Sequence, residues 1–263
     1  MSLSSKTTKK IAELLIVTVR DKLRSYKPET VHMPFHHRLL GKDRYAMFSF
    51  IHSMNTTFGM SIWEQVAVIL ATGAGNYAER QYKLLGEIDK ETEDVIRRIH
   101  YKLRKGEIEA DKLNEIKQIR NKIRKGAAKI DPDSVVDLFV KIENEENYFD
   151  ITSAKPNMKE FVSLKLKLLR WTALRLSQNK NVKVFTRLAI PYNPYHPEPY
   201  ERWTLKGLYD LERGEILVGE EFWNFVASDS IYEELLDVFQ DVGEKLRSEI
   251  DKKFREFRNT IKK

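Results

Sequence analysis

With 263 residues, 41% hydrophobic and 32% charged, the chain can bury a sizeable core and suits a folded protein rather than a disordered one. It has no cysteine, which excludes disulfides and thiolate-bound zinc, and no uninterrupted apolar run able to span a bilayer. A net charge of +7 and a pI of about 9.3 make polyanions the natural partners.

The opening MSLSSKTTKK lacks the apolar core of a signal peptide, so a cytoplasmic place is expected. Residues 6–24 put Ile11, Leu14, Leu15, Val19 and Leu23 at helical spacing. A polar connection runs from Ser25 to Arg38, and an apolar segment, YAMFSFIHSM, follows at 45–54. The run IWEQVAVILATGAGN then reads as a helix that Gly73 and Gly75 end. Ser61 fits its N-cap, with Glu64 three residues on completing a capping box. Residues 87–129 are dense in charge, with apolar residues at helical intervals and Gly106 dividing two helices. This region reads either as a helical hairpin projecting a basic face toward nucleic acid or as a solvated surface lobe.

Asp131-Pro132-Asp133 is turn chemistry, and SVVDLFVKIEN (134–144) is a strand. Glu145-Glu146-Asn147 reads as a polar turn before a second strand, YFDITSA (148–154), which Pro156-Asn157 ends. Helical periodicity returns over 159–178, and VKVFTRLAIPYN (182–193) is a third strand. After a proline-rich loop, a long helical pattern from Ile231 aligns Leu235, Val238, Val242, Leu246, Ile250 and Phe254 on one stripe, suited to the core or to a partner subunit. The order predicts an α/β fold: a mixed β-sheet core flanked by helices, in one domain over 1–263. That domain carries a charged helical insertion at about 87–129 and a C-terminal helical segment at about 231–263. There is no internal repeat.

Asp137 and Asp150 each sit inside an otherwise apolar strand, which costs stability unless something compensates it. If the two strands pair as a hairpin, both carboxylates lie on one edge of the sheet, close enough to share a cation. Two Asp side chains suit a hard ion such as Mg²⁺, which prefers oxygen ligands and keeps several waters. Equally, each Asp can simply hydrogen-bond a loop.

The segments VDLFV and FDITSAKPN resemble the PD-(D/E)xK nuclease motif, in which a first acid is followed, one strand later, by acid-x-Lys. The wider pattern includes Gly59, Ser61, Trp63, Glu64, Gln65 and Ala67, then Ile190 to Tyr195 with Tyr200, Arg202 and Trp203, then Val218 to Phe225. Taken in order, from about Phe48 to Phe225, it resembles the TdeIII/MjaII family of type II restriction endonucleases. The resemblance implies a PD-(D/E)xK nuclease-type sheet and hydrolysis of both strands of duplex DNA. It implies Mg²⁺ as cofactor (with Mn²⁺ as a substitute), a symmetric target of the kind GGNCC, a homodimer, and no need of ATP or guide RNA. It also implies that Asp137 and Asp150 bind the metal, and that Glu64 reaches it directly or through water, beside its capping role.

One position departs from the motif: where Lys is called for, the chain has Thr152. Residues 150 and 152 share a strand face, so Lys155 has the wrong parity unless a bulge or the bend at Pro156 brings it in. Lys155 otherwise contacts phosphate or holds the turn. Lys165 and Lys167 read as ordinary solvated helix residues. The loop Pro191-Tyr192-Asn193-Pro194-Tyr195 is restrained by two prolines. It offers Asn193 and Tyr195, and further on Arg202, to phosphates or base edges. The alternative is loop packing and a turn cap, preferred for Tyr192 and Trp203; Arg187 reads as structural. The six histidines show no zinc spacing. Three functions stay open: a restriction endonuclease, a repair nuclease of the same superfamily, and a catalytically impaired or non-catalytic DNA-binding protein in which Thr152 marks lost chemistry.

Overall fold

The computed structural model describes residues 2–27, 33–200, 205 and 207–260. The contacts gather into two compact units, residues 1–69 with 230–263, and residues 70–229.

The first unit is helical. Helix α1 (Ser5–Ser25) starts at Ser4, whose hydroxyl accepts from the Thr7 N–H, and buries Ile11, Leu15 and Leu23. The expected polar connection contains a short helix, α2 (Pro34–Leu40). Its leading proline forgoes an N–H that a first helical turn leaves unpaired anyway. Helix α3 (Lys42–Thr57) continues through a π turn at Phe58–Ile62 into α4 (Trp63–Gly73), where the Trp63 N–H donates to the Phe58 carbonyl. The expected capping box at Ser61 is therefore absent. No helix begins there, and the Ser61 hydroxyl instead accepts from Gln65 Nε2. Helix α9 (Tyr232–Thr260) packs on α1 and α3 and buries Leu235, Val238, Val242 and Leu246. The stripe is thus spent within its own unit, and Arg20 clasps Glu249 through both carboxylate oxygens beside it.

Among the described residues, the second unit holds a five-stranded sheet in the order β1 (Tyr77–Leu85), β2 (Ile130–Ile142), β3 (Glu145–Ile151), β4 (Lys183–Ile190), β5 (Ile216–Val218). The first three strands pair antiparallel and the last three parallel, giving the mixed sheet expected. The tight turn is Glu143-Asn144, with Glu143 at φ 52°, not Glu145–Asn147, which already belong to β3. Asp131-Pro132-Asp133 lies within β2, beside a shift in its register with β1, where the Asp131 carboxylate accepts from the Asp133 N–H. A parallel pair needs a crossover, and α7 (Met158–Gln178) supplies it between β3 and β4. Asn157 and Glu160 close a capping box at its start.

In the charged region, α5 (Lys90–Lys105) ends at Gly106 in the left-handed conformation, followed by α6 (Lys112–Lys122). The pair neither projects nor floats. Val95, Ile96, Ile99, Leu103, Ile116 and Ile119 are buried, and both helices pack on α7. Their apolar stripes outweigh the charge, most of which is left on the outer faces, while Lys112 and Glu115 of α6 are buried. Helix α8 (Glu220–Ala227) lays Phe222 and Phe225 against Phe149 of β3. No helix among the described residues is long and apolar enough to cross a membrane.

A buried ionic quartet ties α6, α7 and the lead into β5. Lys165 Nζ bonds both oxygens of Glu115 and of Glu215 at 2.8–2.9 Å, and Lys112 Nζ reaches Glu215 at 2.8 Å and Thr186 at 2.8 Å. Lys165 is fully buried, not solvated as the sequence suggested. Burial alone would raise the Glu215 carboxyl, but the ammonium groups of Lys112 and Lys165 outweigh it and bring it down to about 2.

Candidate active site

The β2–β3 ladder ends where Leu138 pairs with Phe149, and the next residues along the two strands are Asp137 and Asp150. The Asp137 carboxylate accepts from the Ile151 N–H at 2.8 Å, which holds it against the end of β3. Asp150 is only 6% exposed. Its Oδ2 accepts from Lys167 Nζ at 2.5 Å. Lys167 reaches it from α7, with its ammonium 4.8 Å from the centre of the Trp171 ring, and Trp171 donates its indole N–H to the Asp133 carbonyl.

Sequence reasoning missed Lys167, reading it as solvated. A signal was present: in FVSLKLKLLRW the two lysines interrupt a helix that is apolar almost all round, so each needs a buried partner. Lys165 finds two carboxylates and Lys167 finds Asp150.

Thr152 lies just past β3, its N–H donating to the Ala189 carbonyl. Lys155 is exposed, with Nζ 4.9 Å over the Tyr195 ring. Tyr200 donates its hydroxyl to the Ala154 carbonyl, so the aromatic loop docks on the turn that follows Asp150. Two of the expected DNA-contacting residues, Lys155 and Tyr195, are thereby brought together. Asn193 uses both ends of its amide inside the loop, accepting from the Tyr195 N–H and donating to the Glu198 carbonyl. Tyr192, expected to pack, is 49% exposed. Arg202 and Trp203 lie outside the described residues.

Arg187 takes a structural place: buried, it donates to Asn147 Oδ1 and to the carbonyls of Arg213 and Gly214. Burial lowers its guanidinium to about 10, which leaves it charged at neutral pH. Glu64 belongs to the first unit and is 3% exposed on α4.

Asp137 and Asp150 offer an all-oxygen donor pair that fits a hard divalent cation. Among the described residues no group of three or more His, Cys, Asp or Glu is arranged around a metal position. A cation here would therefore fill its remaining positions with water, backbone carbonyls or substrate phosphate, as Mg²⁺ commonly does.

Residues 3–243 match the model of the family described as HinfI, type II restriction endonuclease. Among curated relatives, the type II restriction enzyme HgiCII of Herpetosiphon aurantiacus is 32% identical over 120 residues, 44% of this chain and 43% of that enzyme. HgiEI of the same organism is 24% identical over 224 residues, 84% of this chain and 80% of the enzyme. MjaII of Methanocaldococcus jannaschii is 24% identical over 271 residues, 92% of this chain and 72% of the enzyme. No solved structure matches. The resemblance seen in the strand acids and the flanking segments thus extends along nearly the whole chain, which belongs to the HinfI family of type II restriction endonucleases.

Proposed function

We propose that this endonuclease cuts both strands of duplex DNA at a short symmetric site, using a divalent cation held by Asp137 and Asp150. The supporting observation is a pair of carboxylates just past the last pair of the β2–β3 ladder, one tied to the Ile151 N–H and the other bonded to an ammonium group. Mg²⁺ is the proposed ion, with Mn²⁺ able to replace it, and Glu64 is proposed as a third ligand, direct or through water. Such an ion supplies Lewis acidity and lowers the pKa of a bound water. In the hydrolysis a water oxygen bonds to phosphorus while one phosphorus–oxygen ester bond breaks. The proton lost by that water replaces the broken bond on the leaving sugar oxygen. Asp137 and Asp150 orient the cation, and Lys155, which lies over the Tyr195 ring beside the turn that Tyr200 ties down, is proposed to contact a neighbouring phosphate. Asn193, Tyr195 and Arg202 are proposed as DNA contacts, Asn193 on condition that its loop opens. A target of the kind GGNCC follows from the family resemblance alone.

The experiment is digestion of a plasmid library with Mg²⁺ and with excess chelator, followed by mapping of the ends. Ends clustered at one palindrome only when Mg²⁺ is present support the proposal, and cleavage in chelator sinks it. An impaired or non-catalytic DNA-binding protein is the second reading, favoured by Thr152 standing where the motif has Lys. It is upheld if DNA is bound at one site and left uncut.

A homodimer is proposed because a two-fold site is matched by two identical active sites, one per strand. The α9 stripe is not its interface, being occupied by α1 and α3. Light scattering is expected to give twice the monomer mass for the protein on a cognate duplex. A strictly monomeric particle, free and bound, contradicts it.

A further inference from the structure

We propose that Lys167, delivered by helix α7 rather than by strand β3, is the cation of the cleavage site. It balances Asp150 while no metal is bound, and turns to the phosphate under attack once that carboxylate becomes a metal ligand. The inference rests on the Asp137–Asp150 reading above and goes beyond it, since it replaces the residue at position 152 with one from another element.

Four observations carry it. Asp150 is nearly sealed from water, so its charge requires a close partner, and Lys167 Nζ is 2.5 Å away with no room for a water between them. The Lys167 side chain is 31% exposed while that of Asp150 is 8% exposed, so the ammonium stands on the open side of the pair, where a polymer can approach. Trp171 gives the lysine a fixed base: it is fully buried and tethered to the Asp133 carbonyl, and the ammonium lies 4.8 Å over its ring. The neighbouring lysines are committed elsewhere, Lys165 inside the buried quartet and Lys155 over Tyr195.

The chemistry follows from charge. Were the Asp150 carboxylate to hold a divalent ion, the Lys167 ammonium would be repelled by a like charge and would lose its acceptor. The anion then within reach of a pivoting lysine is a phosphate of bound DNA. As the water oxygen bonds to phosphorus and the ester bond breaks, negative charge gathers on the non-bridging oxygens. Lys167 stabilises that charge and stays protonated throughout, so no proton beyond the water's own changes place.

The test uses the full chain with Lys167→Met, Lys167→Gln and the pair Lys167→Met/Thr152→Lys. Three quantities are read: the unfolding midpoint, Mn²⁺ affinity without DNA, and single-turnover cleavage at saturating Mg²⁺. Lys167→Met is expected to bind Mn²⁺ about tenfold more tightly, because a competitor for Asp150 has gone. It is expected to cut roughly a hundred- to a thousand-fold more slowly. Thr152→Lys in that background restores part of the rate by returning an ammonium to the strand side. The proposal is overturned by unchanged Mn²⁺ affinity with an unchanged rate, or by weaker Mn²⁺ binding. It is also overturned if both Met and Gln variants fail to fold, which assigns the lysine to structure alone. Asp150→Asn separates the two levels of argument: if that variant still cuts, the carboxylate reading has failed. If it does not cut while Lys167→Met does, only the lysine has been misassigned.

Discussion

Asp150→Asn is expected to fold normally and to lose cleavage by roughly a thousand-fold or more, with Asp137→Asn close behind. Each change replaces a proposed metal ligand with a neutral amide of the same shape, so the packing of β2 on β3 is kept. At Asp137 the amide oxygen can still accept from the Ile151 N–H, which preserves the 2.8 Å tie between the strands. At Asp150 the change also leaves the Lys167 ammonium without its charged acceptor. A modest loss of stability is therefore expected for Asp150→Asn but not for Asp137→Asn. Circular dichroism and thermal unfolding establish the fold, calorimetric titration with Mn²⁺ reads the metal, and single-turnover cleavage reads the chemistry. Either variant cutting at the parental rate removes that residue from the site.

The second large effect lies in the quartet of Lys112, Glu115, Lys165 and Glu215. Lys165→Met removes one ammonium and leaves Glu115 and Glu215 facing each other in a site closed to water. Removing one member of a buried ion pair typically costs about 3–5 kcal/mol, a large share of the stability of a domain of this size. The variant should unfold at a clearly lower urea concentration or be recovered only as aggregate. A partner change that removes the surplus charge, Lys165→Met with Glu115→Leu, should return much of the loss, since apolar groups of similar volume often replace buried ions without penalty. If the single change shifts the midpoint no more than a surface substitution does, the network is not supporting the fold.

The same quartet has a pH signature. The Glu215 carboxyl lies at about 2, below its ordinary 4.5, so its contribution to stability is complete above about pH 4.5 and is lost as the pH falls toward 2. Burial moves the Glu115 carboxyl the other way, upward, and that opposes part of the effect. The net acid sensitivity is thus smaller than Glu215 alone would give.

The two strand acids were legible because an Asp in an apolar strand has few affordable explanations, and because strand parity is a simple rule. The α/β order was legible from the switch between periods of 2 and 3.6. The missing strands failed that rule for different reasons. In β1, YAERQYKLL, the sheet-edge position leaves mostly polar or half-exposed residues and little apolar alternation. In β5 there are only three residues, too few to show a period. Lys167 was hidden because a lysine on a helix is usually solvated, and the carboxylate it meets lies seventeen residues away in sequence. Helix α2 lay in a stretch whose proline and histidines suggested an irregular connection. The capping box at Ser61 matched the local pattern, but a cap has meaning only where a helix begins. Here the preceding helix runs straight through.

That π turn sets a phase relation along the α3–α4 rod. An α-helix advances about 100° per residue, so the extra residue held in the wide turn rotates everything after it by roughly that angle relative to a regular helix. The residues Val66, Ala67, Leu70 and Ala71, which follow the turn and carry this offset, are buried. Gly59 is not what makes the turn possible, for a methyl group there would meet nothing within 4 Å, and Gly59→Ala should be harmless. Deleting Gly59 would take out the one residue that the wide turn absorbs, so the hydrogen bonds can relax to ordinary α spacing while the apolar face of α4, and Glu64 with it, keep their present direction. A regular helix one residue shorter would then present the same buried face.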